Sequence, residues 1–206
     1  WVRERRASRR PADWQYISLG DSAALMAFLP ALALSPDGSS LVFKDDRQNG
    51  LLWIKRRGEL NPVPISGTER ANNPVFSPDG QWVAFVADNH LRKVRTVGGA
   101  AITLADTVAD GYGGAAWMDD GTLIYVEPSL IELRRVSAAG GPSTVVLHDS
   151  TIAGRGIGMP IALPRSRGVL FQACSSGCVT LSLHVLDLKT GQEKRLLDDV
   201  AQAWYL

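Results

Sequence analysis

An all-β chain built as a β-propeller is the fold class this sequence predicts, and three observations predict it. Ser35-Pro36-Asp37-Gly38 returns as Ser77-Pro78-Asp79-Gly80 and, in degenerate form, as Met118-Asp119-Asp120-Gly121. The closing glycines Gly38, Gly80 and Gly121 stand 42 and 41 residues apart. Each copy separates short runs of apolar, β-branched and aromatic residues, such as Pro74-Val75-Phe76 and Trp82-Val83-Ala84-Phe85-Val86. A fixed period of about 40 residues carrying several short strands is the signature of a propeller blade.

The turn chemistry supports the reading. Proline presets φ for a type I turn, aspartate accepts hydrogen bonds from the turn, and glycine takes the left-handed conformation that closes the hairpin. The flanking runs are too continuously apolar for a sheet with one wet face, as expected of inner strands covered on both sides. The second half of the unit also repeats: Val94 to Gly99 matches Val136 to Gly141, and each Gly-Gly precedes a short strand, Ala101 to Leu104 or Thr144 to Leu147. Gly-Gly between two strands is a hairpin signal. The first unit offers Leu51 to Lys55 and Val63 to Ile65 in the same places. A looser fourth unit holds Ile161-Ala162-Leu163, Val169-Leu170-Phe171, Leu181 to Leu188 and Lys194 to Leu197, with its last hairpin at Lys189 to Gln192. The count is four blades of four strands, at about 30–66, 72–107, 113–150 and 157–199, with the start of a fifth at 202–206.

The chain has 206 residues, 45% hydrophobic, and a net charge of +1. That suits one sizeable core and argues against a protein whose main business is nucleic acid. The longest apolar stretch, Ala23 to Leu34, is too short to cross a membrane. It reads instead as a short helical turn at Ser22 to Phe28 leading into the first blade. Residues 1–13 differ from the rest, with five arginines and one glutamate between Trp1 and Pro11. They read as a basic solvated linker, the alternative being a juxtamembrane segment with Trp at the interface and Arg on the headgroups. The partial propeller then occupies 14–206. A cut ring exposes sheet edges, here expected at Trp14 to Ser18 and near Leu206, so self-association is expected.

The small strand, Ser-Pro-Asp-Gly, then Leu-Val-Phe or Val-Ala-Phe resembles the TolB-like, WD-like propeller repeats. More narrowly, Gly50 to Ile54 leading to Pro64-Ile65-Ser66-Gly67-Thr68-Glu69, then Phe76 to Phe85, then Leu91 to Asp106 resemble the C-terminal propeller of bacterial membrane serine/threonine kinases. The resemblance implies a six-bladed ring with about two blades missing. It also implies a sensing or protein-interaction domain, tethered in the parent protein to the inner membrane through flanking sequence. Two alternatives stand beside it: the gating propeller of a prolyl oligopeptidase-type hydrolase, and a free periplasmic TolB-like scaffold.

The chain carries no local catalytic motif: no nucleotide loop before a strand lysine, no His-Arg-Asp, no Asp-Phe-Gly and no Gly-x-Ser-x-Gly. No enzyme activity, cofactor or metal is therefore expected of it. Gly111-Tyr112-Gly113-Gly114 and Gly154-Arg155-Gly156-Ile157-Gly158 lack the Lys-Ser/Thr and helix of a phosphate cradle. Both read as tight loops just before an inner strand, with Tyr112 and Arg155 as the side chains to contact a ligand at the channel mouth. A protein, a peptide or a small ligand would be the partner there. Cys174 and Cys178 enclose Ser175-Ser176-Gly177, a loop short enough for a disulfide; that reading is preferred to two free thiols and places the domain outside the cytosol. Two thiolates alone do not make a metal site, and His90, His148 and His184 show no ligand spacing. Asp37, Asp79 and Asp120 read as turn stabilisers. Trp53, Trp82 and Trp117 read as packing between blades.

Overall fold

The computed structural model describes residues 32–45, 50–149, 156–175 and 180–200. Four antiparallel four-stranded sheets follow one another along the chain, each with its strands in sequence order. Blade 1 holds β1 (Leu32–Leu34), β2 (Ser40–Asp45), β3 (Leu51–Arg56) and β4 (Val63–Pro64). Blade 2 holds β5 (Asn72–Phe76), β6 (Trp82–Ala87), β7 (His90–Arg95) and β8 (Ile102–Ala105). Blade 3 holds β9 (Ala115–Trp117), β10 (Thr122–Val126), β11 (Glu132–Ser137) and β12 (Thr144–His148). Blade 4 holds β13 (Gly156–Ala162), β14 (Gly168–Ser175), β15 (Thr180–Asp187) and β16 (Glu193–Asp198). The inner strands β1, β5, β9 and β13 stand side by side in that order, which is the propeller arrangement. The basic linker 1–13, the Trp14 to Ser18 edge, the helical turn at 22–28 and the strand at 202–206 lie outside the described residues.

The repeated turns form for the reason their sequence gives. The carboxylate of Asp37 accepts Ser35 Oγ at 2.6 Å and the Ser39 backbone N–H at 3.0 Å. Asp79 repeats this with Ser77 Oγ at 2.5 Å and Gln81 N–H at 3.0 Å. Asp120 does so with Thr122 N–H and Oγ1. Gly38, Gly80 and Gly121 sit at φ +70, +68 and +78°, a region that costs an L-residue about 1–2 kcal/mol and glycine little. Blade 4 departs from the pattern: Pro164–Ser166 form a 3-10 turn with Arg165 at φ +61°. That turn leans on blade 3, with Arg165 N–H on Asp119 Oδ2 and Asp120 N–H on Ser166 Oγ.

Three apolar seams join the four sheets. Val42, Leu52 and Ile54 of blade 1 meet Val83, Phe85 and Val94 of blade 2. Ala84, Val86 and Leu91 on the other face of blade 2 meet Trp117, Leu123 and Tyr125 of blade 3. Ile124, Val126 and Leu133 of blade 3 then meet Val169, Phe171 and Leu186 of blade 4. Strands β6 and β10 are buried on both faces, as their unbroken apolar sequence requires. Trp117 lies in a seam, and Trp82 borders the same seam under Lys93 and Arg95, at 4.3 and 4.9 Å from its ring centre. Trp53 pairs with Phe43 across β2 and β3, on the face opposite Val42 and Ile54. It therefore does not pack between blades 1 and 2.

One feature of the inner strands has no trace in the repeat phrase. Asn73, Gly114 and Met159 occupy the same place in successive blades and all have positive φ, +51, +82 and +49°. In β5 and β13 this coincides with a register shift, between Asn72 and Val75 and between Gly158 and Ile161. Such bulges re-aim the chain at the end of a sheet. The bulge lengthens β13, so Gly156 and Gly158 lie inside the strand and not in a loop before it. That corrects the expectation for this glycine cluster.

Candidate functional site

The blade-to-blade connections arrive at the end of the molecule where the inner strands begin, and polar side chains gather there. Lys44 Nζ of β2 donates to Asn72 Oδ1 at 2.8 Å, and Asn72 Nδ2 donates to Asp110 Oδ1 at 2.9 Å. Asp110 Oδ1 also accepts the Gly111 N–H at 2.7 Å. One line of hydrogen bonds thus runs from blade 1 across blade 2 to the segment leading into blade 3. Beside it Arg70 and Asp88 form an ion pair at 3.0 Å. Asn89 Nδ2 donates to the Val108 carbonyl at 3.2 Å, holding the β6–β7 turn against the same segment. Asn73, 5% exposed, has a buried side-chain oxygen without a hydrogen-bond partner.

Tyr112 continues this rim. Its hydroxyl donates to Oε1 of buried Gln172 at 3.3 Å. A Cβ at Gly158 would lie 2.3 Å from the Tyr112 ring, so only glycine fits beneath it. The connection is tight elsewhere too, since a Cβ at Gly113 would meet the Ala109 carbonyl at 2.3 Å. Burial pushes the Tyr112 phenol up to about 12, so at neutral pH it is a hydrogen-bonding group and not a charge. The structure brings Tyr112 together with Gln172 and Gly158 at the seam of blades 3 and 4. Arg155, expected beside it, lies outside the described residues. With donors, acceptors and paired charges around a rim, the arrangement is equipped for recognition by hydrogen bonding.

Cys174 lies on β14, and its sulfur accepts the Gly156 N–H at 3.1 Å. Cys178 falls outside the described residues. The three turn aspartates are engaged with their own turns, far along the strands from the rim. Among the described residues no group of three His, Cys, Asp or Glu is placed to hold a metal ion. No helix there is long and apolar enough to cross a membrane.

Sequence reading found no local Ser, His and acid signature, yet the fold assembles such a set on the outer strands of blade 4. Ser182 Oγ lies 2.8 Å from His184 Nε2, and His184 Nδ1 lies 2.5 Å from Glu193 Oε1. Ser182 and His184 are two apart on β15 and so share a face; Glu193 comes from β16. The one signal in the sequence was the Ser-x-His spacing, and nothing local tied it to Glu193.

No protein-family model matches the chain. A TolB structure from Acinetobacter baumannii superposes with a TM-score of 0.67 at 15% identity, covering 81% of this chain and 42% of that one. One from Agrobacterium tumefaciens gives 0.66 at 18% identity, covering 82% and 61%. The fold is a TolB-like β-propeller. Among curated proteins, the TolB-like chain is 31% identical over 111 residues to the uncharacterized peptidase YuxL of Bacillus subtilis. It is 29% identical over 157 residues to the UDP-N-acetylenolpyruvoylglucosamine reductase of Cereibacter sphaeroides. These matches take in 48% and 73% of this chain but only 17% and 47% of the relatives' own lengths. The TolB-like propeller is thus comparable to a part of each relative.

Proposed function

We propose that this TolB-like propeller is an interaction module that receives a protein or peptide partner, or a small ligand, on the rim formed by Lys44, Asn72, Asp110 and Tyr112. The observation that carries the reading is the line of hydrogen bonds from Lys44 through Asn72 to Asp110, which lays donors and acceptors from blade 1 across blade 2 to the connection into blade 3. A polar rim carried by connections on rigid sheets suits recognition of an extended peptide by hydrogen bonding. Selection of a random displayed peptide library on the protein tests it. Recovered peptides should lose at least tenfold in affinity for Asp110→Lys and keep it for Asp37→Lys, at the opposite ends of the strands. Equal binding to both variants would sink the assignment of the rim.

The finer reading places this module as the extracytoplasmic sensor of a bacterial membrane serine/threonine kinase, on the strength of sequence resemblance. A parent reading frame with a kinase core and a membrane helix upstream would support it; a signal peptide alone would remove the kinase. The peptidase relative at 31% identity favours a second reading, the gating propeller of a hydrolase, which a catalytic domain downstream would select. Placement outside the cytosol rests on a Cys174–Cys178 disulfide. Two maleimide adducts on the denatured, unreduced protein would exclude that bond.

A further inference from the structure

We propose that Ser182 is an activated nucleophile that takes an acyl group from small esters, with His184 as its general base and Glu193 orienting the base. This activity is separate from recognition at the rim. The connectivity is that of nucleophile, base and orienting acid, an arrangement recognised by geometry and not by chain order. The Glu193 carboxylate accepts at His184 Nδ1, which leaves Nε2 without a proton and able to take that of Ser182. The ring is held still. His184 is 8% exposed and stacks on buried Phe171, with ring centres 5.4 Å apart at 30°. Ser182 Oγ has one competing acceptor, the Ala173 carbonyl at 3.2 Å, farther than the imidazole.

A recess of about 50 Å³ opens beside this serine, lined by Ala173, Ser182, Arg195 and Asp198 among others. A water needs at least about 10–15 Å³ of such space, so the recess has room for a small acyl group beside the serine. Arg195 lies opposite His184 across β15 and β16, and Asp198 opposite Ser182. Arg195 pairs with Asp198. Its guanidinium lines the same recess as Ser182, where positive charge would favour a developing oxyanion. The step balances without any cofactor. Ser182 Oγ bonds to the carbonyl carbon while its proton passes to His184 Nε2. The ester C–O bond then breaks and the alcohol leaves with that proton. Water reverses the sequence to release the acid.

A bracing role, in which the hydrogen bonds merely tie β16 to β15, leaves Ser182 as inert as any other serine. Incubating the whole protein with a small alkyl fluorophosphonate separates the two. Here the Ser182 Oγ–P bond forms, the P–F bond breaks, and the proton again goes to His184. Peptide mass spectrometry should find the adduct on Ser182 and not on Ser129 or Ser137 of the same molecule. His184→Gln should slow it at least tenfold, and Ser182→Ala should abolish both it and turnover of p-nitrophenyl acetate. Absence of an adduct on Ser182 in the wild-type protein would overturn the proposal, whatever the variants do. So would labelling of Ser182 no faster than of Ser129.

Discussion

At the scale of single residues, the repeat phrase announces its own chemistry, because the hydrogen-bond partners of Asp37 and Asp79 lie within two residues. The Ser35 hydroxyl, helped by Ser39, holds Asp37 down to about 2 from an ordinary 3.8, and the Ser77 hydroxyl lowers Asp79 likewise. A carboxyl whose pKa falls on folding stabilises the fold fully above its unfolded value, and that contribution disappears as pH drops through the folded one. The melting temperature should therefore fall as pH goes from about 3.8 to about 2. In Asp37→Asn/Asp79→Asn that slope should be shallower, as thermal denaturation followed by circular dichroism would show. Tyr112 was legible only as a rim residue. Its seat on Gly158 joins residues 46 apart in sequence, and no local pattern encodes such a contact. Gly158→Ala sets a Cβ into that ring, an overpacking worth about 1–3 kcal/mol, and urea unfolding should show a loss of that size. Gly38→Ala has open space around it and should lose only the backbone term of about 1–2 kcal/mol.

Strands differ in how much of themselves they write into the sequence. Strand β6 reads as a buried run because five of its six residues are buried, whereas all six residues of β16 are exposed. The looseness of the fourth unit has the same cause. Its Pro164-Arg165-Ser166-Arg167-Gly168 corner replaces the Ser-Pro-Asp-Gly turn, and a bulge in β13 draws Gly156 and Gly158 into the strand. The positive φ shared by Asn73, Gly114 and Met159 has no sequence signature, because residues of three different types hold one conformation. The Ser182, His184 and Glu193 set escaped for a related reason, since it needs the register of β15 against β16. From burial alone, Phe85→Ala in β6 should cost about 3–5 kcal/mol. Val145→Ala in β12, 45% exposed, should cost under about 0.5 kcal/mol. Denaturant midpoints of the two variants check this contrast, and equal losses would contradict the inner-to-outer gradient.

For the whole molecule, the 40-residue ruler was enough to give four blades of four strands, because each seam pairs one face of a blade with the next. What the ruler cannot carry is the polar rim, which arises where connections from different blades converge: Lys44, Asn72 and Asp110 belong to three separate parts of the repeat. The central claim is that this rim, and not the turn-bearing end, meets the partner. Replacing Asp110 or, separately, Ser39 with a photo-crosslinking phenylalanine in the parent protein, within its own cells, tests that claim most directly. The rim position should give a discrete crosslinked species on irradiation and the Ser39 position none. A crosslink from Ser39 with none from Asp110 would contradict the account.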